Sequence, residues 1–337
     1  YQDGHTITNE YDSATIDNGL GKIYRTDKNT NGQITESIII NNYDVVGRPD
    51  NEEYQIPVYN INTVHDFTYN LAGQVTGKTF TYNTELLKDL SFAYDFAGRM
   101  LNTYDNIESK ELVNYKFNDL SLVTNQNNFN GTSSEYSYHP KRYWMTDLKV
   151  KKGAEVLYQN QYQYDDVGNR SKLIDEFGTE TSYSYDGLYR LTGVQGSYYK
   201  RSDGAYNTYS YDTTGNRMQY NSMFNDYEYQ YATDSNRLLI ERSMNGIEIL
   251  SYLDYQYDAN GNTTHKIHHT ELFESGKEEY LWNCENQMIG YRKFNKNIKS
   301  HLFDLTDAVD FQYNIAGMRL SKKVYDLKTG ILNENDS

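Results

Sequence analysis

A short motif, Tyr-Asp/Asn-x-x-Gly, recurs along this 337-residue chain and constrains its fold more than any other feature. The full copies are YDVVG (Tyr43, Asp44, Gly47), YNLAG (Tyr69, Asn70, Gly73), YDFAG (Tyr94, Asp95, Gly98), YDDVG (Tyr164, Asp165, Gly168), YDTTG (Tyr211, Asp212, Gly215), YDANG (Tyr257, Asp258, Gly261) and YNIAG (Tyr313, Asn314, Gly317). A repeat at this spacing indicates an array that grows by adding units, whereas the length alone would suggest two or three globular domains. Residues present in every copy usually serve the fold.

The segment YQYDDVGNRSKL, residues 162–173, shows why the motif predicts a β-hairpin. Tyr162 and Tyr164 are two apart, so they share one face of a strand. Asp165 and Gly168 stand at the first and fourth positions of a type I turn, whose last residue forms a G1 bulge. Glycine fits there because it has no Cβ penalty at positive φ, and the Asp carboxylate can accept hydrogen bonds from turn amides.

An aromatic residue two positions before the leading tyrosine also recurs, which predicts an aromatic ladder across stacked hairpins. The pairs are Phe67/Tyr69, Phe92/Tyr94, Tyr183/Tyr185, Tyr209/Tyr211, Tyr255/Tyr257 and Phe311/Tyr313. Degenerate copies begin at Phe117, Tyr138, Tyr185, Tyr231 and Trp282, with Ser121, Tyr189, Ser235 and Asn286 in the glycine place. From residue 164 onward, Gly and non-Gly turns alternate, so the predicted unit is a pair of repeats of about 46 residues.

A second set of turns lies between the motif turns and places a reversal at the opposite end of each hairpin. These are Asn31-Gly32, Asn130-Gly131, Lys152-Gly153, Phe177-Gly178, Asp203-Gly204, Asn245-Gly246 and Ser275-Gly276. The predicted fold is all-β, an antiparallel meander of about two dozen strands. Because a sheet of more than about 10 strands twists and curls, the meander should spiral into a hollow shell, tube or β-spiral. One helical turn is expected within residues 84–90.

Composition supports a fold built on tyrosine. There are 36 Tyr against 12 Phe and 2 Trp, and tyrosine rings can pack while their hydroxyls stay hydrogen-bonded. The net charge of −15 argues against nucleic acid and anionic membrane surfaces as main partners. No apolar run is long enough to insert in a membrane. The single cysteine, Cys284, excludes an intrachain disulfide.

The motif copies resemble the YD repeats of RHS-type proteins. The segments that carry the resemblance are YDVVGR, YDFAGRM, YDDVGNR, YDTTGNRM, YDANGNT and the variant WNCENQM. In this family the repeats imply a β-strip that spirals into a hollow shell. The shell encloses a C-terminal toxic segment in bacterial secreted toxins and forms the cocoon component of insecticidal toxin complexes; teneurins carry a similar barrel. No segment here resembles the self-cleaving element that closes such shells, so no protease residues are transferred.

We therefore expect residues 1–30 to be an irregular or degenerate first repeat, 31–325 the repeat spiral, and 326–337 a tail or the start of another repeat. The chain is interpreted as a fragment of a longer protein that acts outside the cell or at the cell surface. Its expected partners are flanking repeats or an enclosed C-terminal domain of the same polypeptide, other copies in a fibre, and glycans.

Chemical sites find little support in the sequence. His265, His268 and His269 lie near Glu271 and Glu274 and could bind a cation, but a polar hairpin arm is the favoured explanation, because no other motif copy has His there. The turn aspartates lack EF-hand spacing, and Cys284 has no activating neighbour in the sequence. No phosphate loop, dinucleotide fingerprint, nucleophile elbow or zinc-protease motif occurs. We predict no catalytic residue, no metal and no cofactor.

The repeated arginines are also better explained by structure than by nucleic-acid binding. Arg170, Arg217, Arg237 and Arg319 are read as the residue two positions past the glycine site, each packing over a tyrosine ring of a neighbouring hairpin.

The sequence thus favours a non-enzymatic structural scaffold, a β-shell that encloses or displays cargo such as a C-terminal toxin domain. The alternative is a self-assembling extracellular fibre or sheath, or a glycan-binding adhesin.

Overall fold

The computed structural model describes residues 5–197, 206–222, 224–271, 273–297, 300–315, 317–326 and 331–333. These ranges contain 27 β-strands and one short 3-10 helix, Pro57–Tyr59. No helical segment in them has the length and hydropathy of a membrane span. The chain divides into two compact units, Tyr1–Tyr162 and Gln163–Ser337.

The strands that begin in the first unit are short and follow one another at close intervals. They are β1 (His5–Tyr11), β2 (Ile23–Thr30), β3 (Gln33–Tyr43), β4 (Pro49–Ile56), β5 (Ile61–Tyr69), β6 (Val75–Tyr82), β7 (Glu85–Tyr94), β8 (Met100–Asp105), β9 (Lys110–Phe117), β10 (Val123–Asn128), β11 (Thr132–Tyr138), β12 (Met145–Lys152) and β13 (Glu155–Tyr164). Each strand pairs antiparallel with the next one in sequence, from β1 to β13.

The second unit repeats the same plan. Its strands are β14 (Arg170–Ile174), β15 (Glu180–Tyr185), β16 (Leu191–Gly196), β17 (Asn207–Tyr211), β18 (Arg217–Asn221), β19 (Asp226–Tyr231), β20 (Leu238–Asn245), β21 (Glu248–Tyr257), β22 (Thr263–Thr270), β23 (Glu274–Trp282), β24 (Met288–Lys296), β25 (Phe303–Tyr313), β26 (Arg319–Asp326) and β27 (Ile331–Asn333). Consecutive strands again pair antiparallel. The predicted all-β antiparallel meander is confirmed.

The motif turns are type I turns that end in a left-handed residue. In all seven full copies the glycine has positive φ, from 78° at Gly317 to 101° at Gly168. Its N–H donates to the carbonyl of the turn's Asp or Asn at 2.9 to 3.3 Å. Ser121, Tyr189 and Asn286 adopt the same conformation, with φ of 63°, 62° and 58°. The Gly and non-Gly copies therefore share one turn geometry.

Two motif hairpins have a longer loop. Tyr138 pairs with Met145 and Tyr231 pairs with Leu238, one residue later than the equivalent pairing of Tyr43 with Pro49. After Tyr231 the loop closes with the N–H of Ala232 donating to the carbonyl of Arg237. Placing Ser235 at the glycine site was therefore wrong, because the extra residue removes the need for a left-handed conformation there.

The turns between the motif turns are of three types. Asn31 and Gly32 both have positive φ and form a two-residue type I′ turn, whereas Gly153 and Gly246 open two-residue turns as the first central residue. Gly131 and Gly178 close type I turns in the manner of the motif glycines. Asp203-Gly204 lies outside the described residues.

Two local predictions are wrong. Ser275-Gly276 lies inside β23, where Ser275 is the extra residue of a bulge between the pairs His268–Gly276 and His269–Glu274. A Cβ on Gly276 would lie 2.8 Å from the carbonyl oxygen of Phe294, so this glycine serves close strand packing. The helical turn expected within 84–90 is absent, because residues 83 and 84 form a hairpin turn and β7 begins immediately afterwards.

One face of the strands is more sheltered than the other near each motif turn. In β13, Asn160 and Tyr162 are buried, whereas Gln161 and Gln163 are exposed. The two sheltered residues belong to the face that carries the leading tyrosine. The buried side chains are few and include polar ones such as Asn160 and Thr181, so the interior depends on hydrogen bonds as well as apolar packing.

The turn geometry predicts opposite responses at two neighbouring turns. Gly215 has φ of 96° with open space around it, so Gly215→Val should destabilise the protein by about 1–2 kcal/mol through backbone strain alone. Tyr189→Gly should have no cost or stabilise by up to about 1 kcal/mol, because it relieves a left-handed aromatic residue. Urea unfolding, with hydrogen exchange at each turn, measures both effects.

Gly187→Val is the matched control, since Gly187 lies at another turn position, without positive φ, and has open space around it. Equal losses for the valine substitutions at Gly215 and Gly187 would contradict the turn assignment.

Candidate functional site: the stacked motif turns

Phe117 has no side-chain donor, but the leading aromatic residue of ten other motif hairpins donates a hydrogen bond to the preceding hairpin. Its acceptor is a backbone carbonyl at the start of that hairpin's return strand. The donor–acceptor pairs are Tyr43–Ile23 (2.5 Å), Tyr69–Pro49 (2.7 Å), Tyr94–Val75 (2.8 Å), Tyr138–Val123 (2.8 Å), Tyr185–Arg170 (2.8 Å), Tyr211–Leu191 (2.8 Å), Tyr231–Arg217 (3.0 Å), Tyr257–Leu238 (2.7 Å), Trp282–Thr263 (2.7 Å) and Tyr313–Met288 (2.9 Å).

A bulge explains why this carbonyl is available. In the hairpin of Tyr69, the register runs from Tyr69–Val75 to Thr68–Gly77, so Thr76 is an extra residue on the return strand. The same shift occurs beside Tyr94, Tyr211 and Tyr257. A bulge disrupts the ladder locally, and a carbonyl beside it needs a donor from elsewhere. Beside Tyr69, the hydroxyl of Tyr94 supplies that donor to the carbonyl of Val75.

A second link joins successive turns through the residue that follows the left-handed position. The side chain of Gln74 donates to the carbonyl of Gly98 at 2.7 Å, and Arg99 to that of Asn118 at 2.9 Å. Other links run from Arg190 to the carbonyl of Asp212 (2.7 Å), from Asn216 to Oδ1 of Asn236 (3.0 Å) and from Asn262 to Oδ1 of Asn286 (2.8 Å). Each of these five turns is thus tied to the next one along the chain.

Where the linking residue is a cation, it also packs over the next leading aromatic ring. The guanidinium carbon of Arg48 lies 4.2 Å from the ring centre of Tyr69, and Nζ of Lys22 lies 4.4 Å from that of Tyr43. Arg99–Phe117 (4.9 Å), Arg190–Tyr211 (4.8 Å) and Arg237–Tyr257 (5.8 Å) repeat the contact. Such contacts are worth about 0.5–2 kcal/mol each.

The predicted arginine positions need a correction. Arg237 precedes β20 directly, as Arg48 precedes β4, because its loop contains an extra residue. Arg217 does pack over Tyr229 of the next hairpin at 4.6 Å. Arg319 packs over Phe311 of its own hairpin at 5.6 Å, not over a neighbouring tyrosine. The stacking cation is therefore more often one residue past the left-handed position than two.

The aromatic ladder is not continuous. Tyr209, Tyr220 and Tyr227 do stack across three adjacent strands, with ring centres 5.0 and 5.8 Å apart. Successive leading aromatics, however, are separated by a return strand, so they are about 10 Å apart at a strand spacing of about 4.8 Å. The cations described above occupy that gap.

The turn carboxylates are held ionised by the turns themselves. In the Asp212 turn, burial acts to raise the pKa, but hydrogen bonds from Asn216 and Thr214 side chains and backbone amides lower the pKa to about 2. The pKa values of Asp44, Asp95, Asp165, Asp186 and Asp258 are also lowered, by hydrogen bonds from turn amides and from an Arg or Asn side chain that outweigh burial. Asn70 and Asn314 accept the same amide bonds without a charge.

The histidine cluster separates into individual contacts. His268 Nε2 lies 2.8 Å from Glu278, and His265 Nε2 lies 3.9 Å from Glu279. His269 stacks on Tyr252 with ring centres 4.2 Å apart; its Nε2 lies 3.0 Å from Asp254 Oδ2, outside hydrogen-bond geometry. In the part of the chain that the structure describes, no three His, Cys, Asp or Glu side chains form a metal-binding group.

A cavity of about 720 Å³ lies beside the longer loop that follows Tyr231. Its lining includes Asp212, Asn216, Asp234, Asn236 and Arg242. Asp212 and Asn216 already bond to each other, and Asn216 bonds to Asn236. The polar groups on this lining are therefore largely used in holding the turns together.

Comparison with known proteins agrees with this geometry. The family model described as RHS Repeat matches residues 162–198, the hairpin of Asp165 and the strands that follow. The chain contains an RHS repeat. The resemblance seen in the YD motifs is thereby confirmed for this segment. No curated protein sequence matches the chain.

Solved structures similar to this chain come from Tc toxin assemblies. They include the crystal structure of TcdB2-TccC3-Cdc42 (TM-score 0.54, 14% identity, 96% of this chain and 20% of that one) and that of TcdB2-TccC3 (0.53, 15%, 96% and 21%). A third is the Photorhabdus luminescens Tc holotoxin pore with a mutated TccC3 (0.52, 14%, 96% and 20%). The chain spans about a fifth of the length of these structures and shares their fold.

The tyrosine hydroxyl gives a direct test of coupling between successive hairpins. Tyr257→Phe removes the hydrogen bond to Leu238 and keeps the ring, so it should destabilise the protein by about 1 kcal/mol. Phe117 lacks this hydroxyl naturally, so Phe117→Tyr should cost nothing and could add a bond to the preceding return strand. Paired urea titrations measure both, and equal losses for the two substitutions would contradict the hydroxyl's role.

Acid should weaken the turns over a defined range. Because the pKa of Asp212 in the fold is about 2, below its ordinary 3.8, its stabilising effect is complete above about pH 4 and is lost as the pH falls towards 2. Asp212→Asn keeps the turn, as Asn70 and Asn314 do, and should flatten this part of the pH dependence. Urea midpoints from pH 2 to 6 provide the measurement, with Asp234→Asn as the control for charge. An unchanged slope in Asp212→Asn would refute the assignment.

Proposed function

We propose that this chain is a wall-forming segment of a secreted RHS-type protein, whose repeats enclose or display other parts of the same polypeptide. The observation that carries this is the pair of links between successive hairpins, one through the leading aromatic and one through the residue after the turn. Residues 31–325 would form the wall. Its cargo would be a flanking domain, such as a C-terminal toxin domain.

The use of polar side chains supports a structural role over an enzymatic one. Asp44 is bonded to Val46 and Arg48, and Asp95 to Ala97 and Arg99, so these recurrent carboxylates are committed to their own turns. The hydroxyls of leading tyrosines such as Tyr69 and Tyr211 donate hydrogen bonds to backbone carbonyls. A wall made this way hides its backbone polar groups from solvent and protease, which suits enclosure.

The similar Tc structures support the same proposal at the level of fold. Since the chain spans about a fifth of their length, enclosure requires further repeats outside this segment. A wall of this kind gives no reason for a cofactor or for nucleic-acid binding, and the net charge of −15 disfavours the latter.

Assembly into a fibre is the second candidate, and the motif-turn tips of the first unit favour it. Leu71 and Phe96 are fully exposed at the second position of their turns, and Val45 is 90% exposed at the same position. Exposed apolar side chains at a regular spacing can bind other copies. A glycan adhesin is less favoured, because cations cover the ring faces of Tyr69 and Tyr211 that would stack on sugars.

Electron microscopy of negatively stained particles distinguishes these functions. The polypeptide that contains this segment with its flanking regions should form discrete hollow particles, and a flanking C-terminal domain should resist limited proteolysis until the particle is opened by denaturant. Filaments that lengthen with protein concentration, and that shorten in Leu71→Asp/Phe96→Asp, would favour the fibre instead. Solid particles with a freely cleaved C-terminal domain would refute enclosure.

A further inference from the structure

The chain contains Asn-x-Ser/Thr sequences, and the asparagine side chains of these sequences differ in their hydrogen bonds. Asn130, Asn169 and Asn262 begin such sequences within the described residues, whereas Asn335 lies outside them. Transfer of a glycan needs the side-chain nitrogen of asparagine to be accessible and not engaged in the fold. The three described residues differ in this respect because two of them belong to motif turns.

Asn169 and Asn262 use their side-chain nitrogens to hold turns. Nδ2 of Asn169 donates to Oδ2 of Asp165 at 2.9 Å. Nδ2 of Asn262 donates to Oδ2 of Asp258 at 2.9 Å and to Oδ1 of Asn286 at 2.8 Å. Both residues are half-buried. A glycan on either nitrogen would break bonds that fix the turn.

Asn130 lies at the exposed tip of the turn between β10 and β11. Its Oδ1 accepts the N–H of Thr132 at 3.0 Å and the hydroxyl of Thr132 at 2.7 Å. Its Nδ2 has no hydrogen-bond partner among the described residues. The next residue, Gly131, has open space around it, and Phe129 is 63% exposed. The side chain is thus held by its oxygen while its nitrogen faces solvent.

We infer that Asn130 is an acceptor for N-linked glycosylation in the folded protein and that Asn169 and Asn262 are not. The co-reactant is a polyprenyl-diphosphate oligosaccharide together with its transferase. The bond between Nδ2 and the sugar C1 forms, and the bond from C1 to the diphosphate oxygen breaks. Nδ2 loses one proton to a base of the transferase, and the polyprenyl diphosphate leaves. The hydrogen bond from Thr132 to Oδ1 pre-positions the amide for this step.

The consequence goes beyond a scaffold role. The turn of Asn130 belongs to the set opposite the motif turns, so an oligosaccharide there would keep this edge in solvent and prevent it from packing on a protein surface. Asn130 takes no part in the links between hairpins. The test of its glycosylation is therefore independent of whether the repeats enclose a cargo domain.

The test uses the purified folded chain, a solubilised oligosaccharyltransferase and a lipid-linked oligosaccharide. Mass spectrometry of proteolytic peptides, with and without peptide N-glycosidase, locates each glycan. The expected result is modification at Asn130 and none at Asn169 or Asn262. Short synthetic peptides spanning the three sequences serve as positive controls, and all three should be modified because none is held in a turn.

Variants separate the chemistry from the fold. Asn130→Gln and Thr132→Ala should abolish the modification, and Thr132→Ser should retain it, while circular dichroism shows unchanged strand content in all three. A folded chain that stays unmodified at Asn130 while its peptide is modified would overturn the inference. So would glycans at Asn169 or Asn262 in folded protein.

Discussion

The hydrogen bond from a leading aromatic side chain to a carbonyl of the preceding hairpin is the contact on which the rest of the array depends. A lone hairpin is marginally stable in water, and this protein has few fully buried apolar side chains such as Ile56 and Val194 to compensate. Each hairpin therefore gains much of its stability from its neighbours. The bulge leaves a backbone carbonyl without a partner in its own hairpin, and the hydroxyl of a later tyrosine donates to it. A cation often packs over the ring of that tyrosine.

The sequence predicts the hairpins well because their geometry is locally encoded. An Asp that caps turn amides and a glycine at positive φ together strongly favour a chain reversal. The same turn geometry occurs with Ser121 and Asn286 in place of the glycine. The all-β meander follows from repeating that local rule. The links between hairpins are harder to read, because the acceptor of a tyrosine hydroxyl depends on a bulge that no residue type marks. In the sequence, these links are reflected in a spacing of about 20 residues between donor and acceptor.

The failures have physical causes of the same kind. Ser275-Gly276 has the composition of a turn, yet the register of β22 and β23 places it in a strand where a side chain would strike the Phe294 carbonyl. Counting from Tyr231 predicts Ser235 at the glycine site, but the loop contains one extra residue, which shifts the positions that follow. Composition identifies residues that tolerate a sharp bend or close contact, but pairing with the neighbouring strand decides which of the two occurs.

In many copies the residue after the left-handed position is Lys, Arg, Gln or Asn, and in several of them it reaches the next turn or ring by a contact that its length and charge allow. Leu122 and Met318 occupy this position in other copies. Because each such link joins only adjacent hairpins, substitutions at one link need no compensation elsewhere. Tandem duplication can therefore lengthen a gene of this type, and its copies can diverge independently while the backbone is preserved. Because the links are local in this way, two such proteins can keep the same architecture while their sequences diverge to 14% identity.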